Sequence, residues 1–118
     1  MPEGKRTDRV GEEFREILAE EIPKLKDPRV GFVTVTGVNV TPDLRHATVF
    51  YTVLGEDPDR RATRAGLLSA TGHLRTVIGR QVRLKFLPDL AFHEDDTEEK
   101  AGRVEELLRK LREDDASG

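Results

Sequence analysis

The sequence contains no cysteine, no tryptophan, one methionine, one tyrosine and five phenylalanines. Without cysteine there is no disulfide framework, no thiolate metal site and no cysteine nucleophile. No apolar run approaches ~18 residues, so nothing reads as a membrane span. The opening residues, Met1 to Arg9, lack the apolar stretch of a secretory leader, which makes the cytoplasm the expected compartment. Aromatics are 5% of the chain, too little to line a deep apolar pocket, and no small-molecule substrate is expected. His46, His73 and His93 fall on three different elements without ligand spacing. Glu94, Asp95 and Asp96 read as solvated carboxylates ahead of a helix rather than as a cation site. Neither a phosphate-cradling G-x-x-x-x-G-K nor a G-x-S-x-G elbow occurs. The expectation is a protein with no catalytic residue, no metal and no cofactor, and not an enzyme.

What is present is charge. Charged residues make up 36% of the 118, and the net charge is −3. The charge is uneven: from His93 onward there are ten acids against five bases, which leaves +2 on the first 92 residues. Length predicts a single domain, placed at residues 1–112, with a disordered tail at 113–118.

Val10, Phe14, Ile17, Leu18 and Ile22 recur at helical spacing, with Thr7 as the predicted N-cap and Pro23 as the terminator. Arg6 and Arg9 lie at the start of this helix. Lys26, Asp27, Pro28 and Arg29 form a turn. Residues 30–40, rich in Val and Thr, predict a strand whose apolar parity slips at Gly37, the mark of a glycine-supported bulge. Thr41 to Leu44 is a short turn, so His46 to Leu54 pairs antiparallel with the first strand.

After Gly55 a helix follows, with Asp59 as its expected cap and Arg60, Arg61 and Arg64 in its first turns. Leu67, Ala70, Leu74, Val77 and Ile78 carry its apolar face past Gly72, where a break is expected, to a stop at Gly79. From Val82 the period changes to two. Val82, Leu84, Phe86, Leu90 and Phe92 oppose Arg83, Lys85 and Asp89, which predicts a third strand. Asp96 and Glu99 have capping-box spacing, and Ala101, Val104, Leu107, Leu108 and Leu111 predict a last helix. The order is α-β-β-α-(kink)-α-β-α, an α+β fold with a three-stranded sheet and helices packed on one face.

The stretch from His73 to Leu87 contains Arg75, Arg80, Arg83 and Lys85 and no acid at all. Arginine suits phosphate because its planar fork donates in pairs. In a chain that is acidic overall, this run is where a polyanionic partner would dock.

Lys26 to Gly31, then Val33 to Val38, Asp43 and Leu44, Ala47, Val49 and Tyr51 form a combination that resembles the ribosome-binding factor A family. Arg9 and Val10, Ala70 to Gly72, Leu74 and Arg75, Arg83, and Pro88 to Leu90 extend it over nearly the whole chain. The resemblance implies a type II KH-like domain in which an Ala-x-Gly helix kink, here Ala70, Thr71 and Gly72, replaces a Gly-x-x-Gly loop. It implies a monomer that binds the free 30S ribosomal subunit and its 16S rRNA. It further implies help with late small-subunit maturation and 16S rRNA 5′-end processing, and a part in cold adaptation. The RNA-binding residues expected on this basis are Arg6, Arg9, Ala70, Thr71, Gly72, Arg75, Arg80, Arg83 and Lys85. Two alternatives stay open from the residues: a KH-like binder of another RNA, and a protein-interaction module working through its acidic C-terminal helix.

Overall fold

A computed structural model of the chain describes residues 2–95. Helix α1 spans Pro2–Glu21 and passes into a 3-10 turn at Ile22–Lys24, where Pro23 lacks the amide needed to continue the α-helix. Strands β1 (Phe32–Val40) and β2 (His46–Leu54) form an antiparallel hairpin. Helix α2 spans Asp57–Gln81, and strand β3 (Asp89–Glu94) closes the sheet beside β2. The strand order is β1-β2-β3, and β3 runs parallel to β2. The α+β class and the three-stranded sheet are those expected. The sheet is mixed, and the central strand β2 is the parallel partner of β3.

Both helices lie on one face of the sheet. Val35, Ala47, Val49, Tyr51, Leu90 and Phe92 point to that face and meet Phe14 and Leu18 from α1 and Leu67, Leu74 and Ile78 from α2. The bulge forms where the parity slips. Val35 pairs with Tyr51, Thr36 is skipped, and Gly37 pairs with Phe50. This extra residue returns Val38 and Val40 to the side of Val49 and Ala47, so the valines on both sides of the bulge face inward, while Phe32 at the strand's start is exposed.

The Lys26–Gly31 turn is fastened to α2. The hydroxyl of fully buried Thr63 accepts the Gly31 N–H at 3.1 Å and donates to the Arg29 carbonyl at 3.4 Å. Arg29 also donates to Ser69 at 3.0 Å. Hydrogen bonds from the Arg29 guanidinium and amide hold the Asp27 carboxyl down at about 2. A Cβ on Gly66 would come within 2.6 Å of a Val30 methyl and 3.4 Å of its backbone nitrogen, so glycine here gives the turn room against the helix.

Four expectations about boundaries are corrected. Helix α1 begins at Pro2, so Thr7 sits inside it and is not its N-cap. Asp59 is the third residue of α2 and reaches back to the Glu56 N–H at 3.0 Å, and Glu56 takes the cap position. Helix α2 is unbroken: the two helices expected on either side of Gly72 are one of 25 residues. The third strand starts at Asp89, not at Val82. The last helix, with its stripe from Ala101 to Leu111, lies outside the described residues.

Gly72 has no positive φ, and a Cβ there would meet nothing within 4 Å. Neither close packing nor an unusual backbone angle therefore calls for glycine here, and the break expected at Gly72 has no backbone cause. Alanine fits an exposed helix interior about 0.8–1 kcal/mol better than glycine. Gly72→Ala is expected to stabilise the domain by about that amount, read as a higher urea midpoint. A lower midpoint would restore the strained glycine.

Candidate nucleic-acid interface

Beyond the last turn of α2, residues 82–88 lead the chain to the sheet. Val82 closes the helix by donating to Ile78 at 2.9 Å and itself adopts extended angles. Alternation then holds for four residues: Val82 and Leu84 are half-buried, and Arg83 and Lys85 point to solvent. Phe86 departs from its parity and lies 48% exposed. Pro88 is buried, and Asp89 starts the parallel ladder by donating to the Arg45 carbonyl at 2.8 Å.

That last bond brings the hairpin turn against the basic segment. The turn is closed by Leu44 N–H to the Thr41 carbonyl at 2.8 Å, with Leu44 at φ 60. Asp43 accepts the Thr41 hydroxyl at 2.6 Å and the Arg45 N–H at 3.0 Å, and these bonds lower its pKa. Arg45 thus emerges beside Phe86, with its guanidinium carbon 4.5 Å from the ring centroid.

The result is a cleft of about 340 Å³. Arg6 from α1, Arg45 from the hairpin, and Arg83 and Lys85 from the extended segment surround it, over Leu44, Leu84 and Phe86. Among the described residues, Asp43 is the one acid on this lining. A second hollow of about 650 Å³ shares Arg83, Leu84 and Lys85 and continues to Arg80 in the last turn of α2. Together they make a trough with five basic side chains from four segments of the chain. Clustered charge of one sign in a concave surface focuses the field and attracts anions.

Of the expected site residues, this trough gathers Arg6, Arg80, Arg83 and Lys85. Arg9 is exposed on α1 but is not on the lining. Ala70, Thr71 and Gly72 lie earlier in α2 and line neither part of the trough. Ala70 is half-buried against the core, and Thr71 donates to the Leu67 carbonyl at 3.2 Å. Arg45 and Phe86 were not foreseen. Arg45 stands alone in sequence, and Phe86 was assigned inward by parity.

Arg75 has a different task. Its Nε donates to the Pro88 carbonyl at 2.8 Å and its Nη2 to the Leu87 carbonyl at 3.2 Å, with Asp89 3.7 Å away. Leu87 also lies directly over Gly79, where a Cβ would collide with it. Arg75 therefore fixes the segment that carries Arg83, Lys85 and Phe86, and Gly79 leaves room for the Leu87 side chain. Arg75→Lys keeps the charge but loses the paired donation to two carbonyls. It is expected to cost about 1 kcal/mol of stability and to weaken binding without changing the salt slope. A flatter salt slope in this variant would instead mark Arg75 as a phosphate contact.

Among the described residues no cluster of His, Cys, Asp or Glu is arranged to hold a metal ion. No helix among them is long and apolar enough to cross a membrane.

A three-stranded mixed sheet with two helices on one face and a basic trough at one end is an α+β domain of KH-like build. The chain belongs to the ribosome-binding factor A family, whose model matches residues 6–108. Ribosome-binding factor A of Geobacter sulfurreducens is 49% identical over 107 residues, covering 90% of this chain and 91% of the relative. The crystal structure of ribosome-binding factor A from Thermus thermophilus matches with a TM-score of 0.67 at 28% identity, over 75% of this chain and 94% of that one. A homology model of the Thermus thermophilus factor, fitted into a cryo-EM map of its complex with 30S, matches at TM-score 0.62 and 29% identity, over 72% and 90% of the two chains.

Proposed function

We propose that this chain binds the free 30S ribosomal subunit by docking its basic trough on 16S rRNA, and that it assists late subunit maturation and 5′-end processing. The observation that carries this is the convergence of Arg6, Arg45, Arg80, Arg83 and Lys85 on one concave surface. Two of the family's sequence marks serve that surface. Asp43 and Leu44 shape the hairpin turn beside it, and Pro88 to Leu90 lead its outer segment into the sheet. The Thermus thermophilus relative, fitted into a 30S complex, supports the choice of partner.

The role is non-catalytic. The protein acts as a monomer in the cytoplasm and contributes binding energy to an rRNA rearrangement. Phosphate contacts supply the affinity and the shape of the rRNA supplies the site. An aid to slow RNA rearrangement is most needed in the cold, when competing RNA structures last longest.

Sedimentation of the tagged protein through a gradient of ribosomal particles tests this. It is expected with 30S particles and to be shed as salt rises. Cells depleted of the protein are expected to accumulate 16S rRNA with an unprocessed 5′ end. Co-sedimentation with 50S particles, or capture of messenger RNA in place of 16S rRNA, would overturn the proposal.

A further inference from the structure

We infer that the trough accepts an unpaired stretch of RNA, with one base stacked against the Arg45–Phe86 pair. This rests on the reading of the trough as the rRNA site and names the form of RNA it takes.

Phe86 is 48% exposed, whereas Phe92, on the strand that follows, is 6% exposed. Two cations lie close to the Phe86 ring: the Arg45 guanidinium carbon is 4.5 Å from the centroid and the Lys85 Nζ 5.6 Å. The backbone around the ring is fixed from both sides. Asp89 N–H is bonded to the Arg45 carbonyl, and Arg75 is bonded to the carbonyls of Leu87 and Pro88. The ring is thus presented on a built support in the lining of the cleft, 48% exposed, with Arg45 and Lys85 beside it in reach of a phosphate.

A paired helix has no use for such a ring. In A-form RNA the bases stack on one another and the deep major groove shuts side chains out, so only phosphates and 2′-hydroxyls would reach the trough. An unpaired strand offers both a phosphate and a free base face, and grooves for single strands combine basic side chains with stacking surfaces in this way.

The test uses the full chain and fluorescein-labelled oligoribonucleotides of about ten nucleotides, matching the footprint of such grooves, presented single-stranded or annealed to their complement. Phe86→Leu is expected to weaken single-strand binding about tenfold, the loss of one base stack, and to leave duplex binding and both salt slopes as they were. Phe86→Trp introduces a tryptophan into a chain that has none. It is expected to keep single-strand affinity, with emission quenched by single-stranded RNA and not by duplex. Equal binding of Phe86→Leu and the parent to single strands, with no quenching in Phe86→Trp, would overturn the inference. Removing Arg83 and Lys85 separates the two levels. If that double variant binds both RNAs like the parent, the RNA reading of the trough fails. If it weakens both while the Phe86 variants behave like the parent, the stacking platform alone fails.

Discussion

Exchanging Arg83 and Lys85 together for alanine is expected to lower affinity for 16S rRNA or the 30S subunit about a hundredfold at moderate salt. Each charge-assisted bond to phosphate contributes roughly 1.5–3 kcal/mol, so each loss costs about tenfold or more. Each lost contact should also flatten the dependence of log affinity on log salt by about one unit, and the pair by about two. The fold should be untouched, because both side chains point to solvent between the half-buried Val82 and Leu84. The control is Arg61, exposed in the early turns of α2. At 1.5 Å per residue it lies about 28 Å along the helix from Arg80. Arg60 is unsuitable as a control, since its Nε donates to Glu94 at 2.6 Å and ties α2 to the end of β3. Binding isotherms over a salt series for Arg83→Ala/Lys85→Ala and for Arg61→Ala decide the matter. Equal losses in the two would show diffuse charge with no localised site.

How far the trough can be read from sequence depends on which contacts make it. The bulge at Gly37 is legible because parity is local: Val35 and Val38 cannot share a face unless one residue is extruded. The apolar stripes of α1 and α2 are legible for the same reason. The break at Gly72 was misread because a glycine inside a helix costs only about 1 kcal/mol. Leu67 before it and Leu74, Val77 and Ile78 after it are all buried against the same sheet, and their packing exceeds that cost. Gly79 was misread as a stop. Its role is to make room for Leu87, and the helix ends two residues later.

The third strand was placed too early for a different reason. A strand needs a ladder partner, and β2 begins at His46, which pairs with Asp89. Residues 82–88 run past the end of the sheet, where alternation can orient side chains but no neighbouring backbone is there to pair. Freed from the ladder, Phe86 leaves the core side. Arg45 was invisible because nothing local marks it. It joins the site only through a parallel pairing between residues more than forty apart in sequence.

The largest loss of stability is expected at Gly11. This residue is buried where α1 crosses β1, and a Cβ there would lie 2.5 Å from the carbonyl oxygen of Val38 and 3.8 Å from Val40 Cγ2. The obstacle is backbone, and that backbone belongs to the ladder with β2 just beyond the bulge, where Val38 pairs with Val49. It cannot retreat without giving up strand pairing, so α1 would have to lift away. Phe14 and Leu18, both fully buried on the same helix, would lose their packing with it. Overpacking of this kind costs about 1–3 kcal/mol, reduced by the helix preference for alanine of up to about 1 kcal/mol. Gly11→Ala is therefore expected to lower the urea midpoint by the equivalent of up to about 2 kcal/mol, a sizeable share of a stability of about 5–15 kcal/mol. The same displacement reaches the trough. Arg6 lies five residues earlier on α1, about 7.5 Å along its axis, so a lifted helix withdraws one of the cations. Binding by Gly11→Ala should weaken although no charge has been removed, while Gly72→Ala, with open space around it, should gain stability. If Gly11→Ala unfolds at the same urea concentration as the parent, α1 does not sit as tightly on β1 as this geometry requires, and the placement of Arg6 in the trough loses its support.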